Sequence, residues 1–229
     1  MDLSSDKYDL LAEGFAERKA NLQFEMQRRL AISMTWGSRL KAADSVLEFG
    51  CGDGYLAQLF VEAGLSYRGL DRSPRMIEMA KRRLMAVGLK ARFEVSDVAD
   101  LSLTESVDAI VSYMETFFSF VQEPLALLRR VRPHIRKKII LDLNPRGRID
   151  VASGIAALRA AGFRNVSWRP VFVPTSVKLP DFALRALTVS EEIPVFRALP
   201  IRWKFNVLLE GEADFEGEGY INNNSHHGG

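Results

Sequence analysis

Val46-Leu47-Glu48-Phe49-Gly50-Cys51-Gly52-Asp53-Gly54 carries an apolar strand into a tight glycine turn and then, from Tyr55 onward, straight into a helix. Glycines at such a turn let the backbone come close to a ligand at the helix N-terminus, where free amides and the helix dipole gather. Many strand-to-helix turns need a glycine for structural reasons alone, so two further details matter. The spacing is G-x-G-x-G, with Tyr55 where a dinucleotide fingerprint places its third glycine. Glu48 stands two residues before the first glycine, where a carboxylate would repel a pyrophosphate but suits an ammonium group. The turn reads as the cradle of a cationic ligand.

Outward from this turn, short apolar runs alternate with helical patterns. Strands are predicted at 45–50, 67–71, 91–97, 107–113, 138–143, 166–173 and 201–209. Leu56, Leu59, Phe60 and Ala63 form one helical stripe, and Met76, Ala80, Leu84 and Val87 form another. Ser73-Pro74 suits a helix start, while Gly88 and Gly162 suit helix ends. The alternation predicts the α/β class: a doubly wound, mostly parallel seven-stranded sheet with helices on both faces. Right-handed crossovers bring the carboxyl ends of the strands to one edge, and ligands of such sheets sit there, near the point where strand order reverses.

Three stretches lie outside this core, expected at 44–210. Residues 1–43 read as an N-terminal helical cap, with Leu11, Phe15, Leu22, Met26 and Leu30 at roughly helical spacing. Residues 174–200 hold four prolines and a short helical pattern near Asp181 to Leu187, a lid-like insertion before the last strand. Residues 211–229, rich in glycine, asparagine and acid, read as a disordered tail.

The chain has 229 residues, 47% of them apolar, enough for one large core. Its 31 basic and 29 acidic residues nearly balance, so global charge points to no nucleic-acid partner. Cys51 is the only cysteine, which excludes an intrachain disulfide and fits a reducing, cytoplasmic location. The N-terminus lacks a signal-peptide pattern and no apolar run is long enough to span a membrane. With His134 in the body and His226 and His227 near the end, zinc sites and Ser-His or Cys-His nucleophiles have no material. The basic run Arg129, Arg130, Arg132, Arg136, Lys137 and Lys138 falls at the far end of the sheet and reads as a solvated helix end.

Two more acids complete the pattern. Asp71 ends the second strand, about 20 residues after the turn, where an acid typically accepts from ribose hydroxyls. Asp97 ends the third, where a carboxylate can accept from an adenine amino group. Glu48, Asp71 and Asp97 together describe a ligand with an amine, a ribose and an adenine, and with no phosphate.

At these residues the chain resembles the class I S-adenosylmethionine-dependent methyltransferases. VLEFGCGDG (46–54), GLDRSPRMIEMAKRRL (69–84), FEVSDVADL (93–101) and VDAIVSY (107–113) are similar to that family's first four motifs. RRVRPHIRKKIILDLNP (129–145) and AALRAAGFRNVSW (156–168) resemble the elements that follow, although the usual Pro-Gly-Gly turn is missing. The resemblance implies S-adenosylmethionine as cofactor. Glu48 and the backbone of Gly50, Cys51 and Gly52 would hold its methionine end. Asp71 would take the ribose, with Arg72 and Met76 beside the adenine and Asp97 and Val98 at the adenine edge. Ser112 and Tyr113 would line the sulfonium, and Tyr8-Asp9 resembles the opening of a lid helix.

A sulfonium methyl is already electrophilic, so the protein must mainly align an acceptor and exclude water. A general base is optional. Glu115, Tyr113, Asp142 and Asn144 are the candidates, each with a structural role as its alternative. The acceptor is expected to be a small molecule, held between the cap, the insertion and the aromatic residues Phe117, Phe118, Phe120, Phe182 and Phe196. Monomer and homodimer are both open. Three other functions compete. Glu48 and Tyr55 disfavour a nicotinamide dehydrogenase. Nucleic-acid methylation lacks its motif, since Ser112-Tyr113-Met114 follows strand four and Asn144-Pro145 sits on the wrong strand. A non-catalytic module of the same fold is disfavoured by the intact acids.

Overall fold

The computed structural model describes residues 21–113, 116–174, 177–200 and 204–213. In chain order these form α1 (Leu22–Thr35), β1 (Ser45–Phe49), α2 (Tyr55–Glu62), β2 (Ser66–Asp71), α3 (Pro74–Ala86), β3 (Arg92–Val95) and β4 (Val107–Ser112). There follow α4 (Thr116–Phe120), α5 (Pro124–Val131), β5 (Ile135–Leu143), α6 (Val151–Ala160), β6 (Arg164–Val171), α7 (Asp181–Glu192), α8 (Pro194–Arg197) and β7 (Asn206–Glu212). The seven strands make one sheet in the order β3-β2-β1-β4-β5-β7-β6. β1 pairs in parallel with β2 and β4, β2 with β3, and β4 with β5. β7 runs antiparallel to both its neighbours, so β6 points the same way as β5. The expected α/β, mostly parallel sheet is what forms.

Strand order reverses between β1 and β4, and the glycine turn leaves β1 at that switch point. Alternation along β1 sends successive side chains to opposite faces. Val46 joins Met26, Leu56, Phe60, Tyr67, Ile77 and Leu84 in a core beneath α1, α2 and α3. Leu47 and Phe49 join Phe117, Leu127, Leu128 and Leu158 in a second core beneath α4, α5 and α6. The result is three layers, with β1 buried on both sides.

Local signals act as their chemistry predicts. Ser73 caps α3 by accepting from the Met76 amide at 3.1 Å, with Pro74 in the first turn. Several elements differ from the sequence-based expectation. β5 begins at Ile135 because that residue pairs with Val107, ahead of an irregularity in the ladder. α1 runs on to Thr35 and α7 to Glu192, beyond the apolar spacing that suggested them. β7 continues through Glu212, which pairs with Lys138 and Arg164, so the start of the expected tail at 211 is sheet. Residues 214–229 and most of the cap, 1–20, lie outside the described residues.

The basic run is not simply solvated. Arg130 donates to the carbonyls of Ala99 and Leu101 at 3.1 Å, and Arg132 to that of Gly162 at 3.1 Å, so these side chains close loop and helix ends. Lys138 is fully buried and donates to the Trp36 carbonyl at 2.5 Å. Burial pulls its pKa down to about 8. No helix among the described residues is long and apolar enough to cross a membrane.

Gly54 and Gly88 allow backbone strain to be separated from crowding. Both have positive φ, +74° and +72°. A Cβ on Gly54 would lie 2.8 Å from the Ala80 Cβ and 2.9 Å from its Cα, whereas one on Gly88 meets nothing within 4 Å. Gly88→Ala should cost about 1–2 kcal/mol, the left-handed penalty alone. Gly54→Ala should add an overpacking cost of about 1–3 kcal/mol. Calorimetry is expected to show the larger fall in Tm for Gly54→Ala; equal falls would mean that α3 shifts freely away.

Candidate functional site

The turn after β1 is fastened to the end of β2. The amides of Gly50 and Cys51 both donate to the Leu70 carbonyl, at 2.8 and 3.0 Å. Gly50, Gly52 and Gly54 all have positive φ, which folds the turn back under the start of α2. The Cys51 side chain is buried against Gly69, where any side chain would collide with its sulfur. Asp71 accepts from the Gly52 amide and the Ser73 amide, each at 2.9 Å. One carboxylate thereby fixes both the glycine turn and the approach to α3. Asp53 is held by Arg83, with Oδ2 2.5 Å from the guanidinium.

A pocket opens above this turn at the carboxyl edge of the sheet. Glu48, Gly50, Cys51 and Gly52 line its floor, and Asp71, Arg72, Met76, Ser96, Asp97 and Val98 line the side toward β2 and β3. Leu22 and Met26 of α1 roof it, and Phe120 closes another part. Gly52 has open space where a Cβ would stand, so its backbone is bare toward a ligand.

Glu48 is the most unusual group here. It is 4% exposed and accepts from the Tyr67 hydroxyl. Burial is the main cause that pushes its pKa up, to about 8, and the hydrogen bond from Tyr67 and the charge of Arg29 only partly oppose that. A cation entering the pocket would favour the ionised form.

Nine sequence candidates line this one pocket: Glu48, Gly50, Cys51, Gly52, Asp71, Arg72, Met76, Asp97 and Val98. Asp97 stands two residues beyond the end of β3 and caps a short 3₁₀ turn, accepting from the Ala99 amide at 2.9 Å. Ser112 and Tyr113 are elsewhere. The Ser112 hydroxyl is buried and donates to the Phe49 carbonyl at 3.2 Å. The Tyr113 hydroxyl lies 2.6 Å from Ser33 Oγ, and the Arg29 guanidinium sits 4.9 Å from its ring centre. Burial raises the Tyr113 pKa further, so this phenol clamps α1 and is unsuited to act as a base.

Asn144 is likewise turned to structure, its side-chain oxygen accepting from the Arg146 amide at 2.9 Å. Asp142 is fully buried, 2.9 Å from Asn206 and 3.6 Å from Arg29. Glu115 and Tyr8 lie outside the described residues. The aromatic wall also needs correction. Phe117 and Phe118 are core residues, Phe117 stacking on Phe49 at 6.4 Å. Phe196 packs against Phe172 and Phe182 faces solvent, so of the five rings Phe120 alone lines the pocket.

Leu22, Met26, Asp53, Tyr55, Leu56 and Ser96 were missed as lining residues. For Leu22 and Met26 the apolar stripe was visible, but not which turn of it would meet the turn after β1. Tyr67, the partner of Glu48, carried no signal beyond being an aromatic in a strand.

Comparisons with known proteins agree with this geometry. A family model described as a methyltransferase domain matches residues 46–138. The ubiquinone biosynthesis O-methyltransferase of Haemophilus ducreyi is 29% identical over 105 residues, 43% of this chain and 44% of that protein. The tRNA (guanine(10)-N2)-dimethyltransferase of Methanothermobacter thermautotrophicus is 40% identical over 92 residues, 38% of this chain and 26% of that one. The chain thus spans about half the length, or less, of these curated relatives. Among solved structures, a complex of the Haloferax volcanii Trm112 methyltransferase activator with a methyltransferase aligns at a TM-score of 0.64 and 20% identity, covering 90% of this chain and 97% of that one. The magnesium protoporphyrin IX methyltransferase of Synechocystis PCC 6803, solved with S-adenosylmethionine bound, aligns at 0.54 and 19% identity, covering 75% and 70%.

Residues 46–138 match a methyltransferase domain, and the chain has the fold of the class I S-adenosylmethionine-dependent methyltransferases. S-adenosylmethionine is the cofactor of that class.

The raised pKa of Glu48 has a measurable consequence for stability. An unfolded chain ionises this group near 4.5 and the folded one near 8. Its contribution is therefore full below about pH 4.5, declines as pH rises, and is lost once pH passes about 8. Urea denaturation midpoints should fall more steeply between about pH 5 and 8 for the wild type than for Glu48→Gln. Parallel curves would show that Glu48 is ionised in the free protein.

Proposed function

We propose that this protein transfers the methyl group of S-adenosylmethionine to a small-molecule acceptor. The observation that carries the reading is the pocket itself. It joins a buried carboxylate, a bare glycine turn and two further acids, Asp71 and Asp97, at the switch point of the sheet. These residues fit the cofactor's parts. Glu48 suits the ammonium, with the Gly50–Gly52 backbone beside the methionine end. Asp71 has the reach for ribose hydroxyls, Asp97 for the adenine amino group, and Met76 and Val98 offer apolar contact to the base. A dinucleotide would instead bring a pyrophosphate onto Glu48.

When bound, the cofactor supplies an electrophilic methyl on a sulfonium. The chain's own task is then orientation and exclusion of water. Leu22 and Met26 cover the pocket with apolar surface, and Glu48, once ionised, anchors one end of the ligand. A small acceptor is supported by relatives named for ubiquinone biosynthesis and for magnesium protoporphyrin IX. It is also supported by the insertion after β6, a cover of small size at the same edge. The single cysteine, Cys51, is buried and free, in keeping with a reducing cytoplasmic location. A methyl-transfer screen with radiolabelled cofactor against fractionated small metabolites, transfer RNA and protein would test the acceptor class. Label appearing only in RNA or protein would overturn the small-molecule reading.

S-adenosylmethionine and S-adenosylhomocysteine should each raise Tm, and NAD should not. At a hundredfold excess over Kd the stabilisation is about 2.7 kcal/mol, or about 5–10 °C for a chain of this size. S-adenosylhomocysteine affinity measured by calorimetry should also increase as pH rises from about 6 toward 8, because Glu48 must release its proton to face an ammonium. Glu48→Gln should bind more weakly and lose that rise. No thermal shift with either adenosyl ligand, or a shift with NAD alone, would sink the assignment.

A further inference from the structure

β6 ends at the same edge as β1, β4 and β5, so residues 172–205 depart from that edge and return to it to begin β7. The insertion and the cofactor pocket thus share one rim, and α1 runs between them. Two side chains of α1 and its entry tie the insertion down. Asn21, directly before the roof residue Leu22, is 7% exposed and does not cap its own helix. Its amide nitrogen donates to the carbonyls of Pro174 and Val177, both at 2.8 Å. Its side-chain oxygen accepts from the Leu179 amide at 3.3 Å. Two turns further on, Arg28 pairs with Glu191 of α7. The other oxygen of Glu191 accepts from the Phe172 amide at 2.6 Å.

Two parts of the insertion, its start at Pro174, Val177 and Leu179 and Glu191 near the end of α7, are therefore tied to the helix whose Leu22 and Met26 roof the pocket. A planar amide bound to three backbone groups of one loop fixes that loop's position and tilt together. Polar and ionic ties of this kind add little stability compared with apolar packing, but they define a geometry.

We propose that Asn21 is a positioning residue that makes the roof of the cofactor pocket and the insertion one body. A ligand seated under α1 then orders the insertion, and an acceptor held by the insertion tightens the cofactor, since such coupling is reciprocal. This rests on the cofactor reading above.

Hydrogen exchange of the full chain, with and without S-adenosylhomocysteine, tests it. In the wild type the ligand should slow exchange in three places: the turn at 46–54, α1, and α7, although no residue of α7 lines the pocket. In Asn21→Ala the first two effects should persist and the third should vanish, with affinity lowered about fivefold. Glu191→Gln keeps an acceptor for the Phe172 amide but loses its charge toward Arg28, and should reduce the α7 response in part. It carries the test alone if Asn21→Ala fails to fold.

Two results would overturn the proposal: an α7 indifferent to the ligand in the wild type, or variants that lower Tm while α7 still responds fully. Lack of protection at 46–54 in the wild type would overturn the cofactor reading itself, and the coupling with it.

Discussion

Two amides, those of Gly50 and Cys51, converge on the Leu70 carbonyl, and the next residue of β2, Asp71, reaches back to the Gly52 amide. The end of one strand thereby holds the turn that leaves its neighbour. Much of the ligand edge depends on this bond set. It aims the start of α2 at the pocket and, through the Ser73 amide on the same carboxylate, sets where α3 begins. Gly54 then lets α2 and α3 approach until only a hydrogen fits between its Cα and Ala80. A loop held this tightly can face a ligand without reorganising, which is what positional catalysis needs.

The two faces of the sheet are used differently. Beneath α4, α5 and α6 the core is mainly apolar, its buried polar side chains from β4 being Asp108, toward the amino edge, and Ser112. Beneath α1, α2 and α3 it is interrupted by buried charge: Glu48 near the pocket, Asp142 at the end of β5, and Lys138 with Glu210 where the segment after α1 crosses the sheet. Burying such groups is expensive unless each has a partner. Tyr67, Asn206 and the Trp36 carbonyl supply partners for Glu48, Asp142 and Lys138. Lys138 and Glu210 are both drawn toward neutrality, Glu210 to a pKa of about 7. Polar chemistry is thus gathered on the face that α1 covers, and the opposite face supplies the rigid apolar backing.

The helical roof follows from that division. α1 carries Leu22 and Met26 toward the pocket, and Arg29 and Ser33 toward Tyr113. It is anchored by its polar residues and closes the pocket with its apolar ones. Tyr113 therefore belongs to the support of the roof rather than to the chemistry beneath it.

By itself the sequence determined the strand–helix alternation, the switch-point turn and the three acids at successive strand ends. These are local signals: periodicity, glycine spacing, and a carboxylate where each strand stops. Glu48, Asp71, Asp97 and the glycine turn could be read this way because each lies at or near a strand's carboxyl end, whereas Arg72, Met76 and Val98 were placed by the family resemblance alone. What only tertiary structure decided was every assignment that depends on a partner far along the chain. Tyr113 and Ser112 follow β4 and looked like pocket residues. Helix α1, some 80 residues earlier, captures the hydroxyl of Tyr113, and the Phe49 carbonyl captures that of Ser112. Phe117 and Phe118 looked like a substrate wall but turn into the core, because α4 packs on β5 instead of standing over the edge. Lys138 looked solvated within a basic run, yet strand alternation and the crossing of Trp36 bury it. Side-chain identity cannot reveal such outcomes, since the same tyrosine, phenylalanine or lysine is stable in either setting until the chain closes around it.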